Sequence, residues 1–184
     1  VTVFVALLRG VNVGGAHSAP MSTVRETFAQ SGGAGVATWL QSGNVVFEAA
    51  GADGVKVVER ARASLRRRLG FDVSIILRDA RSWLALCAGN PFLNNGADAA
   101  HLHVCCLSEA PSVEAIARLD PNRSPPDAFA IIGANVYLKL PNGVARSRMT
   151  NPWFDKTLGV VSTMRNWRTV ARIAEALGQA GSPR

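Results

Sequence analysis

The stretch VTVFVALLRGVNVGG, residues 1–15, opens on eight residues that are apolar on both alternating sets of positions and rich in β-branched side chains. A strand with one solvated face alternates apolar with polar, so this run predicts a central strand covered on both faces. A glycine-rich loop through Gly14 and Gly15 follows. Pro20 then opens a helix to Gln30 with Met21, Val24 and Phe28 on one stripe, stopped by Gly32 and Gly33. Residues 36–40 and 44–47 flank a turn at Ser42 and Gly43, the signature of a hairpin. Asp53 stands where it can N-cap a second helix over 54–69, whose inward set includes Val57, Ala61, Leu65 and Leu69, with Gly70 as its stop. Residues 72–77 supply a last strand. The order is β-α-β-β-α-β, the ferredoxin-like pattern.

The second half repeats the order without repeating the sequence. Residues 78–88 read as a connecting helix and 90–100 as a linker rich in Pro, Asn and Gly. Strands are expected at 101–107, 129–132, 136–140 and 160–164. Ser112 starts a short helix, Pro152 is confined to the first turn of a helix over 149–158, and Trp167 opens a closing helix. The expectation is an α+β protein of two tandem ferredoxin-like units, residues 1–78 and 101–184, joined by a helix and linker over 79–100.

The 184 residues are 48% hydrophobic, which excludes wholesale disorder. Twenty Lys and Arg against thirteen Asp and Glu leave a net charge of +7, which invites an anionic or nucleic-acid partner. Only Lys56, Lys139 and Lys156 are lysines, however, and an arginine-for-lysine bias is also what a GC-rich genome produces. The longest apolar run, the first eight residues, is too short to span a membrane and lacks the flanks of a signal peptide, so a cytoplasmic protein is expected. Cys87, Cys105 and Cys106 lack CxxC spacing, so neither a disulfide framework nor a zinc site is indicated, and no cofactor is expected. His101, His103 and Cys105 alternate onto one face, with Asn135, Tyr137 and Lys139 expected beside them as a polar patch of weak metal character.

The segments FVALLRGVNVGG, QSGNVVFEA, NPF, LHVCCLSEAP, VYLKLPNGVARSRM and TMRNWRTVARI, in that order, resemble the bacterial domain of unknown function 1697 family over nearly the whole chain. The resemblance implies a two-unit ferredoxin-like protein and no established activity. Relatives commonly carry lysines between the double glycine and the proline. Here the segment is Ala16-His17-Ser18-Ala19, which weakens a phosphate-binding reading of this loop.

Topology nonetheless gathers polar residues. The first two strands of a β-α-β-β-α-β unit run parallel, so the loops that leave them share one edge of the sheet. Arg9, Asn12, Gln41, Ser42 and Asn44 should therefore cluster beside the backbone N–H groups of Gly14 and Gly15, an arrangement able to cradle an anion. The alternative is that the glycines and the Ser42-Gly43 turn are ordinary turn chemistry. The loop is neither a Walker loop nor a dinucleotide-binding GxGxxG.

The last 44 residues hold Arg146, Arg148, Lys156, Arg165, Arg168, Arg172 and Arg184 against two acids. Arg165, Asn166, Trp167 and Arg168 sit at a helix start, where they form either an ordinary cap or an anion and base-stacking site. Arg60, Arg62, Arg66, Arg67 and Arg68 give the second helix a basic face, ordinarily a solvated one. No HExxH, GxSxG or paired-carboxylate motif points to catalysis. The leading expectation is a protein that binds a phosphate-bearing or anionic small molecule, or a nucleic acid. An enzyme acting on a small anionic molecule and a homo-oligomeric scaffold are the alternatives.

Overall fold

In the computed structural model, which describes residues 1–180, the chain divides into two compact units, Val1–Trp83 and Leu84–Arg184. Arg184 lies outside the described residues. The first unit contains strands β1 (Thr2–Leu8), β2 (Ala34–Trp39), β3 (Asn44–Ala49) and β4 (Ile75–Asp79), with helices α1 (Met21–Gln30) and α2 (Asp53–Leu69). The sheet order is β2-β3-β1-β4, and every hydrogen-bonded pair is antiparallel. Because β1 and β2 both pair with β3, they run in the same direction and end at the same edge.

One face of this sheet carries Phe4, Ala6, Leu8, Val45 and Phe47 against Val24 and Phe28 of α1 and Val57, Ala61 and Leu65 of α2. Phe4 and Phe47 stack with centroids 5.5 Å apart, and Phe28 tilts on Phe47 at 5.4 Å. Val5 and Leu7 on the opposite face are also fully buried, so β1 is covered on both sides. Gly54 lets α2 sit this close, since a Cβ there would fall 2.5 Å from the Phe4 ring. Asp53 does not cap α2. It occupies the first turn, and its carboxylate accepts from Lys56 Nζ at 2.8 Å, a rotamer that leaves no side-chain cap on the helix.

Helix α3 (Ala80–Ala88) spans the division between the units. The segment read as a linker is ordered by two side-chain caps. The Asn90 carboxamide oxygen accepts from Phe92 and Leu93 N–H to start helix α4 (Pro91–Asn94), and Asp98 caps a 3-10 turn at Ala99–His101. The second unit then repeats the first with β5 (Leu102–Leu107), α5 (Val113–Ala117), β6 (Ala128–Ile132), β7 (Asn135–Lys139), α6 (Asn151–Leu158) and β8 (Ser162–Asn166), followed by α7 (Trp167–Ala180). Its sheet order is β6-β7-β5-β8, again antiparallel throughout. Cys105, Leu107, Val136, Leu138 and Leu140 pack with Ala115, Leu119, Phe154 and Leu158 of the α5 and α6 side, while α7 packs against β5 and β8.

The register separates the expected polar patch. Residues paired across an antiparallel ladder share a face, and Tyr137 pairs with Val104 while Val136 pairs with Cys105. Asn135, Tyr137 and Lys139 therefore lie on the face opposite His103 and Cys105. The Tyr137 hydroxyl donates to Leu86 O at 2.9 Å. Burial holds the His103 imidazole below its ordinary range. A base with a lowered folded pKa lends stability that is intact above the ordinary histidine range and is lost as the pH falls, because the unfolded chain takes up the proton first. Urea denaturation should accordingly show stability falling on mild acidification, and His103→Gln should flatten that fall.

None of the three cysteines is in a disulfide. Cys105 and Cys106 are buried, and burial pushes the half-buried Cys87 thiol up to about 11. Iodoacetamide at neutral pH should leave the folded protein essentially unlabelled and add three adducts per chain after denaturation, read by intact mass, because the thiolate is the reacting species.

Candidate anion-binding site

The two loops at the C-terminal ends of β1 and β2 do meet. Leu8 N donates to Gly43 O at 2.8 Å, and Asn12 Nδ2 donates to Gln41 O at 2.8 Å. The same Asn12 carboxamide donates to Ala19 O at 2.9 Å and accepts from Ala19 N at 2.8 Å, so it is engaged within the frame of the loop. Asn44 is fully buried, and its Nδ2 donates to Trp39 O and to Ser42 Oγ. Gly14 and Gly15 form the exposed tip of a miniature hairpin closed by Ala16 N donating to Val13 O at 3.1 Å, with φ of +59° and +76°. Two successive left-handed residues are what a type I′ turn requires. They do not give the alternating αR-αL concavity that turns N–H groups onto an anion. Gln41 and Ser42 are exposed, and Arg9 is half-buried with its N–H on Ser74 O.

The RNWR segment belongs to the second unit. Arg165 is 7% exposed, and its Nη1 donates to Thr163 Oγ1 at 2.8 Å and Met164 O at 2.9 Å. Burial pulls its guanidinium down to about 10. Asn166 is the cap of α7, its Oδ1 accepting from Thr169 N at 2.8 Å, and Trp167 is buried. Arg168 is exposed. Most of the basic face of α2 is likewise engaged within its own unit. Arg68 donates to Glu26 at 2.7 Å and to Thr27, Arg60 donates to Ser31 O, and Arg66 lies 3.7 Å from Asp72. Arg68 holds the Glu26 carboxyl below its usual range through that hydrogen bond and its charge.

A different group of bases converges. Arg118, the C-cap residue of α5, Arg123 in the loop that follows, and Lys156 of α6 line a cleft of about 630 Å³ together with Thr150, Trp153 and Thr157. The α5 helix that carries Arg118 begins at Ser112, whose Oγ accepts from Ala115 N. The α6 helix that carries Lys156 begins at Thr150, whose Oγ1 accepts from Trp153 N. Arg118 Nη2 donates to Thr157 O at 3.2 Å, and Arg123 Nε donates to Arg148 O at 2.9 Å. The Arg123 guanidinium lies 4.7 Å from the centroid of the Trp153 ring, a cation–π distance. Among the described residues none of these three cations forms an ion pair with a carboxylate. Sequence reading counted Lys156 among the bases of the C-terminal segment but gave no sign that Arg118 and Arg123 would join it, because these come from a separate segment earlier in the chain.

Among the described residues no group of three His, Cys, Asp or Glu is placed to hold a metal ion, and no helix is long and apolar enough to cross a membrane. The comparison with curated proteins gave no match. A conserved bacterial protein from Streptococcus pneumoniae has a similar structure, with a TM-score of 0.72 at 20% identity over 96% of this chain and 98% of that one. That likeness covers both units and shows the fold: two four-stranded antiparallel sheets in tandem ferredoxin-like units. The family model described as "Protein of unknown function (DUF1697)" matches residues 1–137, ending before α6 and RNWR. Matched over well more than half of its length, the chain belongs to the DUF1697 family.

Proposed function

We propose that this protein binds a phosphate-bearing or other anionic ligand, and that it does so in the cleft between α5 and α6. The observation that supports this reading is the convergence of Arg118, Arg123 and Lys156 on one open cleft, where among the described residues none of them forms an ion pair with a carboxylate and only Glu114, on the same short helix, feels the charge of Arg118. Like charges that line one cleft repel, and a multiply charged anion relieves that repulsion while gaining charge-assisted hydrogen bonds. Titrating the protein with pyrophosphate in a thermal-shift assay tests it, since a ligand that binds only the folded state raises stability by mass action. The midpoint should rise with pyrophosphate and fall back in Lys156→Ala, whose side chain is exposed and makes no hydrogen bond among the described residues. A midpoint indifferent to pyrophosphate defeats the proposal.

A second reading keeps the ligand at the loop edge of the first unit. The observation that favours it is backbone strain: Asn12, His17 and Leu40, with φ of +56°, +51° and +59°, all belong to these loops, and among the described residues no other non-glycine residue has positive φ. Such a conformation costs a residue like Leu40 about 1–3 kcal/mol, less for asparagine and histidine, and such conformations gather at ligand sites. Under this reading Gln41→Ala and Ser42→Ala would weaken binding and Lys156→Ala would not.

A further inference from the structure

We propose that the ligand of the α5–α6 cleft is a nucleotide whose base stacks on the Arg123–Trp153 pair and whose phosphates are held by Arg118 and Lys156. This rests on the anion reading above and narrows it. Arg123 is the decisive residue. Its Nε is tied to Arg148 O at 2.9 Å and its guanidinium is seated on Trp153, so it is a fixed plane rather than a swinging charge. Trp153 is braced in turn by Phe154 at 4.8 Å and by the edge of Phe129 at 6.3 Å. Nucleic-acid bases stack on guanidinium planes and on aromatic rings alike, so a guanidinium already resting on an indole presents a preformed surface for one.

The other two cations are suited to the phosphates. Arg118 engages one N–H with Thr157 O and keeps its remaining donors, while Lys156 brings three donors on a flexible stem. Size points the same way. A cleft of about 630 Å³ falls in the range of about 300–1,000 Å³ that takes small organic ligands, more room than a lone phosphate fills. A nucleic-acid strand would need a cationic groove that tracks its backbone. Arg165, the central base of the C-terminal segment, is buried in the sheet and cannot contribute to one.

The test titrates the full chain with ADP, pyrophosphate and a thymidine oligonucleotide, reading tryptophan fluorescence and calorimetric heat. ADP is expected to bind about tenfold or more tighter than pyrophosphate, the margin that stacking of one base supplies. It should quench a signal that is absent in Trp153→Phe. Arg123→Lys, which keeps the charge and loses the plane, should erase the preference for ADP while retaining pyrophosphate binding. Equal affinity for ADP and pyrophosphate overturns the nucleotide inference and leaves the anion reading standing. Binding of neither defeats both. An oligonucleotide that binds more tightly than ADP, with affinity falling steeply as salt rises, overturns the inference in favour of nucleic acid.

Discussion

Gly43→Ala is expected to destabilise the protein by about 2–5 kcal/mol, the sum of a left-handed backbone penalty and an overpacked contact. Gly43 sits at φ +76°, and a Cβ placed there would lie 2.7 Å from Leu8 Cβ and 2.8 Å from Val11 Cγ2. Neither neighbour can yield easily. Leu8 is fully buried and Val11 nearly so, and the Gly43 carbonyl is held by Leu8 N at 2.8 Å. The clash falls where the end of β1 meets the turn between β2 and β3, so it should strain both loops at once. Denaturant midpoints for the variant and the parent measure the effect. A loss below about 1 kcal/mol, the size of an unremarkable substitution, would show that the two loops are not locked together as the geometry requires.

Asn12→Ala is expected to cost about 2–4 kcal/mol, since it removes three hydrogen bonds and strands a buried amide. The carboxamide joins Ala19 and Gln41, and Ala19, which is fully buried, has its N–H on Asn12 Oδ1. Alanine also tolerates φ +56° less well than asparagine. Asn12→Gly separates the two causes. Glycine accepts the backbone conformation freely, so whatever destabilisation remains belongs to the lost carboxamide. Equal stability of Asn12→Gly and the parent would mean that the bridge to Gln41 contributes nothing. Neither substitution should alter pyrophosphate or ADP binding in the α5–α6 cleft beyond its effect on the folded fraction, whereas both should abolish binding if the loop edge is the site.

The elements themselves could be read locally. Both units, the both-sided burial of β1, the Gly70 stop of α2, and the Ser112 and Asn166 caps follow from spacing and capping chemistry within a few residues. The convergence of the two loops also followed, because the direction of strands in a β-α-β-β-α-β unit is a property of topology. The errors arose where a side chain chose among partners. Asp53 was placed to cap α2 and instead meets Lys56 one turn on. Tyr137 was expected beside His103 and faces the other way, because its direction depends on register with β5, which no local pattern states.

The candidate site was less legible than the fold for the same reason. Asn12, Asn44, Asn166 and Arg165 look like ligand-binding chemistry in a sequence. Each proves to spend at least one polar atom on a carbonyl, hydroxyl or amide of its own unit. The net charge of +7 is therefore a poor guide to where an anion would go. What matters is which cations the fold leaves without carboxylate partners and brings to one place.

Periodicity and capping are short-range, so the sequence alone determined the order of strands and helices, the two-unit plan and the burial of the first strand on both sides. The availability of each polar group was decided by tertiary structure. A hydrogen bond or an ion pair depends on distances between segments far apart in the chain. Only folding brings Arg118 and Arg123 to Trp153 and Lys156 of α6, and only folding takes Arg165 out of reach.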